Sequence, residues 1–384
     1  MGAPIVVIGG GIVGTSIAYE LQSKGAPTLL VERDLDPQGA SAFSFASLSA
    51  FDEPQRDFYL LKTHGLIAWR AWLKEFGEEL GVQFNGELRW AESHLAAAEL
   101  EALLRRARRR GYSVRTASLA ELKEREPALS VERAATVTFA QDDGVAEPLR
   151  AIDLLRQAFD DRGGQLLIGR AGLVIGDDDV SVRVGEDRVD ASTVVIATGA
   201  ETAILLERFG WDIPMDPSPG LLVVTQPLEP FLKGAVYGYP ETGVPVHLRQ
   251  FSDGRVVIGE RTQHTIAKNP TLEHAHTLLH QARHWFPILK DAEIDRFTVE
   301  WRPMPRDGMP IVGHLPGLPS VYVAATHSGV TVAPALARFV ASELNDGEPD
   351  DRLKPFTPAR FGAHQAEAFR NIEEAFGGSE VYLG

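Results

Sequence analysis

The sequence predicts a two-part α/β protein: a Rossmann-like domain wound on a parallel sheet, joined to an α+β domain built on a largely antiparallel β-sheet. Three observations carry this. A strand–glycine–helix–strand unit occupies Ile5 to Glu32, a second fully buried strand follows at Val194 to Ala197, and from Pro214 the composition turns to prolines and short strand-like pieces. A length of 384 residues also exceeds one simple core. The pattern divides as residues 1–84, 141–215 and 301–384 for the first domain, and 85–140 and 216–300 for the second.

Ile5-Val6-Val7-Ile8 is apolar enough for a strand buried on both faces. Gly9, Gly11 and Gly14 follow in G-x-G-x-x-G spacing. Gly9 permits a sharp turn out of the strand, Gly11 lets backbone amides approach a pyrophosphate, and Gly14 lets the helix lie close on the strand. The helix starts near Gly11, so Ile12 and Val13 fall at its positively polarised tip; it stops at Gly25. The next strand, Thr28 to Val31, ends in Glu32, followed by Arg33. A carboxylate there can accept both hydroxyl protons of an adenosine ribose. The glycines alone are weak evidence of a ligand; the whole unit, about 30 residues long, is specific for a dinucleotide. A tight turn with no ligand leaves Glu32 without a reason. FAD and NAD both stay open at this point.

After Arg33 the chain does not return at once into another βα unit, as in an NAD enzyme. It runs through a polar loop carrying Ser41, Ser44, Ser47 and Ser49, which suits a ligand larger than NAD's adenosine half. Helices are expected over His64 to Trp72, Glu92 to Gly111, Glu121 to Ala128, Pro148 to about Arg162 and Asn269 to Phe286. Strands are expected over Phe84 to Trp90, Ala135 to Phe139, Gln165 to Ile168, Gly172 to Ile175 and Val180 to Val184, with a turn at Asp177 to Asp179. The basic run Arg105, Arg106, Arg108, Arg109 and Arg110 reads as a solvated face near a helix C-terminus. Ser192 to Gly199, STVVIATG, brings Thr198 and Gly199 to the carboxyl end of a parallel strand, a second close-approach point. Leu221 to Thr225, Val244 to Arg249, Arg255 to Ile258 and Phe297 to Trp301 form the second sheet. The chain then returns to α/β. A rigid loop from Arg302 to Gly313 precedes a buried strand at Val321 to Ala325, a turn through Thr326-His327-Ser328-Gly329-Val330, and a helix from about Thr331 to Leu344. This repeats the strand–glycine–helix-tip arrangement, so the ligand has a second charge-bearing region. A flavin ring fits, because its reduced form is negative at N1–C2=O. The tail from Pro355 reads as a loosely packed helix with no assigned function.

Acidic residues outnumber basic ones, 53 to 38, for a net charge of −15, which disfavours nucleic acid and anionic membrane as partners. There is no cysteine, so disulfides, thiolate metal sites and a cysteine nucleophile are excluded. His276, His280 and His284 share one helix face but stack over two turns with no acid beside them; they read as surface histidines, and no metal is expected. No apolar stretch approaches the roughly 20 residues of a membrane span, and the N-terminal run lacks a basic n-region, so a cytoplasmic protein is expected.

Three blocks together resemble one family. GGGIVGTSIAYEL with Glu32, VVIATGAET, and WRPMPRDGMPIVG followed by HSGVTVAPAL are similar to the D-amino-acid oxidase superfamily of FAD enzymes, which includes glycine and sarcosine oxidases. The resemblance covers most of the chain in the same order. It implies a Rossmann-like FAD domain assembled from three segments and a substrate domain whose sheet roofs the flavin. It implies that Gly9, Gly11, Gly14 and Glu32 hold the ADP half, with Ser41, Thr198 and Gly199 near the pyrophosphate and the backbone at Val174 near adenine; Ile12, Val13, Arg33 and Ser44 beside them are further cofactor-binding candidates. Gly308, Ser328, Gly329, Val330 and Thr331 fall near the flavin, and Arg302 matches the arginine that clamps a substrate carboxylate. His327 lies where the family often has a histidine. There are departures. Ser44 and Ala46 replace the asparagine and glycine that often follow Ser41, and Val257-Ile258-Gly259 lacks the lysine some sarcosine-oxidase-like members carry there, which puts rapid reaction with oxygen in doubt. Without cysteine, non-covalent FAD is expected.

The expected reaction is oxidation of a primary or secondary amine, an amino acid or N-alkyl amino acid. Arg302 would hold the carboxylate, hydride would pass to flavin N5, and the imine would hydrolyse. Oxygen or another acceptor takes the electrons. His247, Arg249, Tyr237 and Tyr239 lie on the second sheet, placed to line the pocket with Arg302 and His327. The alternatives are an FAD enzyme acting on a non-amino-acid substrate, a flavin-binding subunit of a larger complex, and an NAD-dependent dehydrogenase. Stereochemistry and oligomeric state are open.

Overall fold

The computed structural model describes residues 2–176, 180–207, 209–216, 218–260, 271–361 and 381–382. Its first sheet has six strands in the order Ile311–Leu315, Leu318–Ala325, Thr193–Ile196, Ile5–Ile8, Thr28–Glu32, Gln165–Ile168. All neighbours are parallel except the Ile311–Leu315 and Leu318–Ala325 pair. Strands from the beginning, middle and end of the chain thus meet in one sheet. Their apolar runs are buried because helices, among them Ile12–Ser23 and Gly329–Asp346, cover one face, and the antiparallel strands Ala171–Ile175 and Val180–Val184 with the short Thr202–Glu207 helix cover the other. Ile8 sits level with Val31 and Ile196, so three carboxyl ends open at one edge. Gly14 is what lets the Ile12–Ser23 helix lie there: a Cβ on it would come 1.8 Å from the Gly9 carbonyl oxygen.

The second sheet has eight strands: Ile294–Arg302, Ser218–Thr225, Val256–Glu260, Val246–Gln250, Ala235–Tyr239, Glu87–Ala91, Thr136–Ala140, Val114–Thr116. It is antiparallel apart from the Ala235–Tyr239 and Glu87–Ala91 pair. Alternation gives it two faces. Val246, Leu248, Val256 and Ile258 share a core with Ala275, Leu278 and Trp285 of the Leu272–Trp285 helix, which leaves His247 and Arg249 on the face toward the first sheet.

The structure departs from expectation in several places. The helix expected over His64 to Trp72 spans Arg56–Phe76, because its buried face already begins at Phe58. The polar loop and the Asp142–Pro148 turn are partly ordered as a small sheet of Ser47–Leu48, Gly144–Ala146 and Val82–Gln83. The tail begins as 3-10 turns, Lys354–Phe356 and Pro358–Phe361, since Pro355 and Pro358 interrupt an α-helix; residues 362–380 lie outside the described residues. So do Asp177 to Asp179, and Asn269 and Pro270 of the expected helix, which is described from Leu272 with Thr271 as its cap. His276, His280 and His284 are exposed. Among the described residues no helix is long and apolar enough to cross a membrane.

Candidate active site

The two glycine-led helix tips converge. A Cβ on Gly329 would come 3.2 Å from Val13 Cγ2, so the tip of the Gly329–Asp346 helix lies against that of the first helix. Both open into one cavity of about 1030 Å³ that runs from Glu32, past the tips, to Arg302 beneath the eight-stranded sheet. Its size and mixed lining suit a large ligand with polar anchors.

At the Glu32 end the carboxylate accepts from the amide of Gly10 and, through Oε1, from that of Arg33 at 2.8 Å. The Asp34 amide also reaches Oε1 at 3.4 Å, so Oε2 is the oxygen that keeps a lone pair for a hydroxyl. Arg33 bridges to Glu201 at 3.2 Å across the cavity edge. Ser41 Oγ accepts from the Ile12 amide at 3.0 Å, marking the donor an anion would use. Thr198 and Gly199 line the same stretch. Ser44 lines it too, and its Oγ accepts from the amide of Ala46, which stands at φ 53 where glycine is favoured.

Around the second tip, Ser328 adopts φ 55 and its hydroxyl lies 3.0 Å from His327 Nδ1. Trp69 Nε1 donates to the Val330 carbonyl at 2.8 Å, and Thr331 Oγ1 donates to the Ser47 carbonyl at 2.9 Å, which fixes the tip. Gly65 sits at the crossing of the two helices: a Cβ there would come 2.1 Å from the Thr331 carbonyl oxygen. Gly65→Ala is therefore expected to push the tip off the cavity, costing about 1–3 kcal/mol of stability and weakening cofactor affinity together. Melting curves with and without added cofactor check this.

At the far end, Arg302 Nη2 donates to the Pro219 carbonyl at 2.8 Å, and longer contacts of 3.4 Å reach the Ser218 carbonyl and hydroxyl. No carboxylate pairs with it among the described residues, and burial lowers its pKa below the ordinary arginine value. His247 and His327 line this end. Desolvation pushes both imidazoles down to about 3, helped by Arg302 and Arg89 at His247, and by Lys62 and Arg302 at His327. Gly259 makes room for the roof histidine: a Cβ on it would come 2.2 Å from His247 Nε2.

Five expected site residues stand off the cavity wall. Gly14 serves the turn from beneath, packed on Gly9. Tyr239 and Arg249 each lie two residues beyond a wall residue, Tyr237 and His247, so the same strand face carries them about 7 Å further on. Arg249 is instead fully buried, donating to the Ala146 carbonyl at 2.6 Å with its guanidinium over Phe251. Val174 is displaced by Gly169, Arg170 and Ala171, because the Gly169 amide donates to the Glu32 carbonyl and the strand then runs away from the cleft. Gly308 occupies a turn at φ 73 against Gln55.

The expectations missed Lys62, Asp52, Arg89 and Phe45, all in the wall. Lys62 had a signal, a cation on the apolar face between Phe58 and Trp69. It pairs with Glu53 at 2.9 Å, both side chains 7% exposed. Gly10 was also missed: a Cβ there would come 2.8 Å from Glu32 Cβ and 2.7 Å from Arg156 Nη2. The basic run is not all solvated. Arg106 donates to the Asp52 carbonyl, and Arg110 to those of Glu53 and Pro54.

A family model described as FAD dependent oxidoreductase (DAO) matches residues 4–343. Glycine oxidase of Geobacillus kaustophilus is 27% identical, over 93% of this chain and 96% of its own. An opine oxidase subunit of Agrobacterium tumefaciens is 25% identical, over 94% of this chain and 98% of its own. In three dimensions the crystal structure of the Geobacillus kaustophilus glycine oxidase superposes with TM-score 0.83 at 24% identity, covering 94% of this chain and 99% of that one. L-proline dehydrogenase from P. horikoshii superposes with TM-score 0.82 at 22% identity, covering 94% and 97%.

Proposed function

We propose, for a chain that belongs to the FAD-dependent oxidoreductase (DAO) family, that it oxidises a primary or secondary amine on the carbon next to a carboxylate, in an amino acid or N-alkyl amino acid. Arg302 carries this reading. A guanidinium sunk in the cavity wall with no acidic partner among the described residues is complementary to an incoming carboxylate, which supplies the missing counter-charge and can bind in bidentate fashion.

The residues present fit FAD. Any Cβ on Gly9 or Gly14 would strike backbone, so the turn is shaped for close approach, and the cavity passes both helix tips without interruption. Glu32 would hold the ribose, Gly11 to Val13 with Ser41, Thr198 and Gly199 the pyrophosphate, and Gly329 to Thr331 the ring. When bound, FAD accepts the hydride that leaves the amine-bearing carbon. Arg302 fixes which C–H faces the reacting centre. His247 and His327, both uncharged, add no positive charge to the amine's surroundings, so the amine can bind neutral after losing its proton to solvent. The product imine is then hydrolysed by water. With no cysteine in the chain a thioether link to FAD is ruled out, and FAD found in the supernatant after acid precipitation would rule out a histidyl link as well.

The two histidines also set a pH expectation. Their folded pKa values lie near 3, below the ordinary 6.5, so the unfolded chain binds more protons in between. Stability falls as pH drops from about 6.5 toward 3, and neither histidine contributes a step to the rate profile between pH 5 and 8. Denaturation midpoints and kcat/KM across that range check both statements.

The central test is anaerobic addition of amino acids and N-methyl amino acids to the purified yellow protein. Bleaching of the flavin band by at least one is the expected result; a band unmoved by every amine removes the reading. The two relatives named as opine oxidase subunits are by name parts of an assembly, which favours a second reading. In that reading the isolated chain carries flavin that no amine reduces.

A further inference from the structure

We propose that Arg156 is a positioning residue of the cofactor site: from behind the glycine turn it ties that turn to the segment after Glu32 and offsets the Glu32 charge, so that one cleft can take both a ribose and a diphosphate. This rests on the FAD reading above. The cleft holds a conflict that such a group resolves. Glu32 is an anion, and it opens into the same cavity as the first helix tip, whose amides are offered to a doubly charged diphosphate. A carboxylate with no counter-charge would lower the affinity of that tip for an anion.

Arg156 stands on the Pro148–Asp160 helix, whose Ile152 and Leu155 share a core with Ile12 and Tyr19 of the first helix. Its Nη2 donates to the Gly10 carbonyl at 3.1 Å and its Nη1 to the Leu35 carbonyl at 2.8 Å. Gly10 precedes the first helix and Leu35 follows the second strand, so one planar fork joins the two loops at the carboxyl edge of the sheet. Neither Arg156 nor Gly10 lines the cavity, so the guanidinium acts from behind its wall.

Gly10 is the joint between the cation and the carboxylate. Its carbonyl accepts from Arg156 and, at 2.9 Å, from Thr15 Oγ1, while its amide donates to Glu32 Oε2. A Cβ on Gly10 would come 2.7 Å from Arg156 Nη2 and 2.9 Å from Glu32 Oε2, so the two charged groups crowd the same point. No carboxylate bonds the guanidinium among the described residues, so its charge reaches Glu32 without taking up the lone pair kept for the ribose. Its Nε is buried with no hydrogen-bond partner among the described residues. Burial lowers the Arg156 pKa below the ordinary arginine value, and Glu32, then Asp153 and Asp36, act against that. Asp153 and Asp36 are exposed, where water screens them, which leaves Glu32 as the main counter-charge.

The test is the affinity for FAD and for ADP, titrated into the whole chain after its flavin has been removed. Arg156→Met should weaken both by at least about tenfold and by the same factor, because ADP contains the whole region concerned. Arg156→Lys should lose less, since an ammonium keeps the charge but cannot span both carbonyls. The effect should run through Glu32: added to Glu32→Gln, Arg156→Met should weaken binding by less than about threefold. A role in folding alone would lower the melting temperature and weaken binding equally in both backgrounds. Unchanged affinity in Arg156→Met, or equal losses in the Glu32 and Glu32→Gln backgrounds, overturns the proposal while the FAD reading stands. Should Arg156→Met fail to fold, Arg156→Gln, which keeps a donor and loses the charge, carries the same comparison. An unaltered chain that binds neither FAD nor ADP removes both.

Discussion

Arg302→Met should raise KM for carboxylate substrates by about two to four orders of magnitude while the flavin stays bound. The guanidinium is the cation at this end of the cavity that no described carboxylate matches, and its present partners are carbonyls and a hydroxyl of Ser218 and Pro219. Removing it leaves an incoming carboxylate desolvated and unpaired, which is the costly case. Arg302→Lys should recover part of the loss, since an ammonium supplies the charge without the planar fork. Neither change touches the glycine turn or Glu32, so the visible spectrum should keep its flavin bands. Steady-state kinetics with flavin absorbance measures both arms. An unchanged KM for every carboxylate substrate would sink the role.

The second large effect concerns stability. Lys62→Met should destabilise the protein by about 3–5 kcal/mol, because it strands a carboxylate in the core. Glu53 and Lys62 are each 7% exposed and 2.9 Å apart, and Glu53 also accepts from the Gln55 amide at 3.0 Å. The double change Lys62→Met with Glu53→Gln should recover most of the loss, since no charge then remains to be matched. Urea denaturation of the two single variants and the double variant reads the coupling. Additive losses would mean that the pair is solvated rather than buried.

Much of the fold was legible from local pattern. Glycine spacing, buried runs and the proline-rich middle located the helix tips and both sheets, because strand and helix periods are written in consecutive residues. Glu32, Ser41, Thr198, Gly199, Arg302 and His327 came from those same patterns and from the family resemblance, and all line the cavity. Arg249 and Tyr239 did not follow. Strand alternation told which face they share with His247 and Tyr237, but not where along the strand the cavity ends. Val174 missed by three residues, because the wall is set by where Gly169 pairs back onto Glu32.

By itself the sequence determined a family member with two anion-seeking helix tips and a carboxylate at the end of the second strand, since each is encoded within one short unit. Only the tertiary structure decided that the tips meet, that Gly65 lies under Thr331, and that Asp52, Lys62 and Arg89 line one cavity with Arg302. Those residues come from segments far apart in the chain. What brings them together is the burial of the apolar faces beside them, and no local pattern records which distant surface a face will meet.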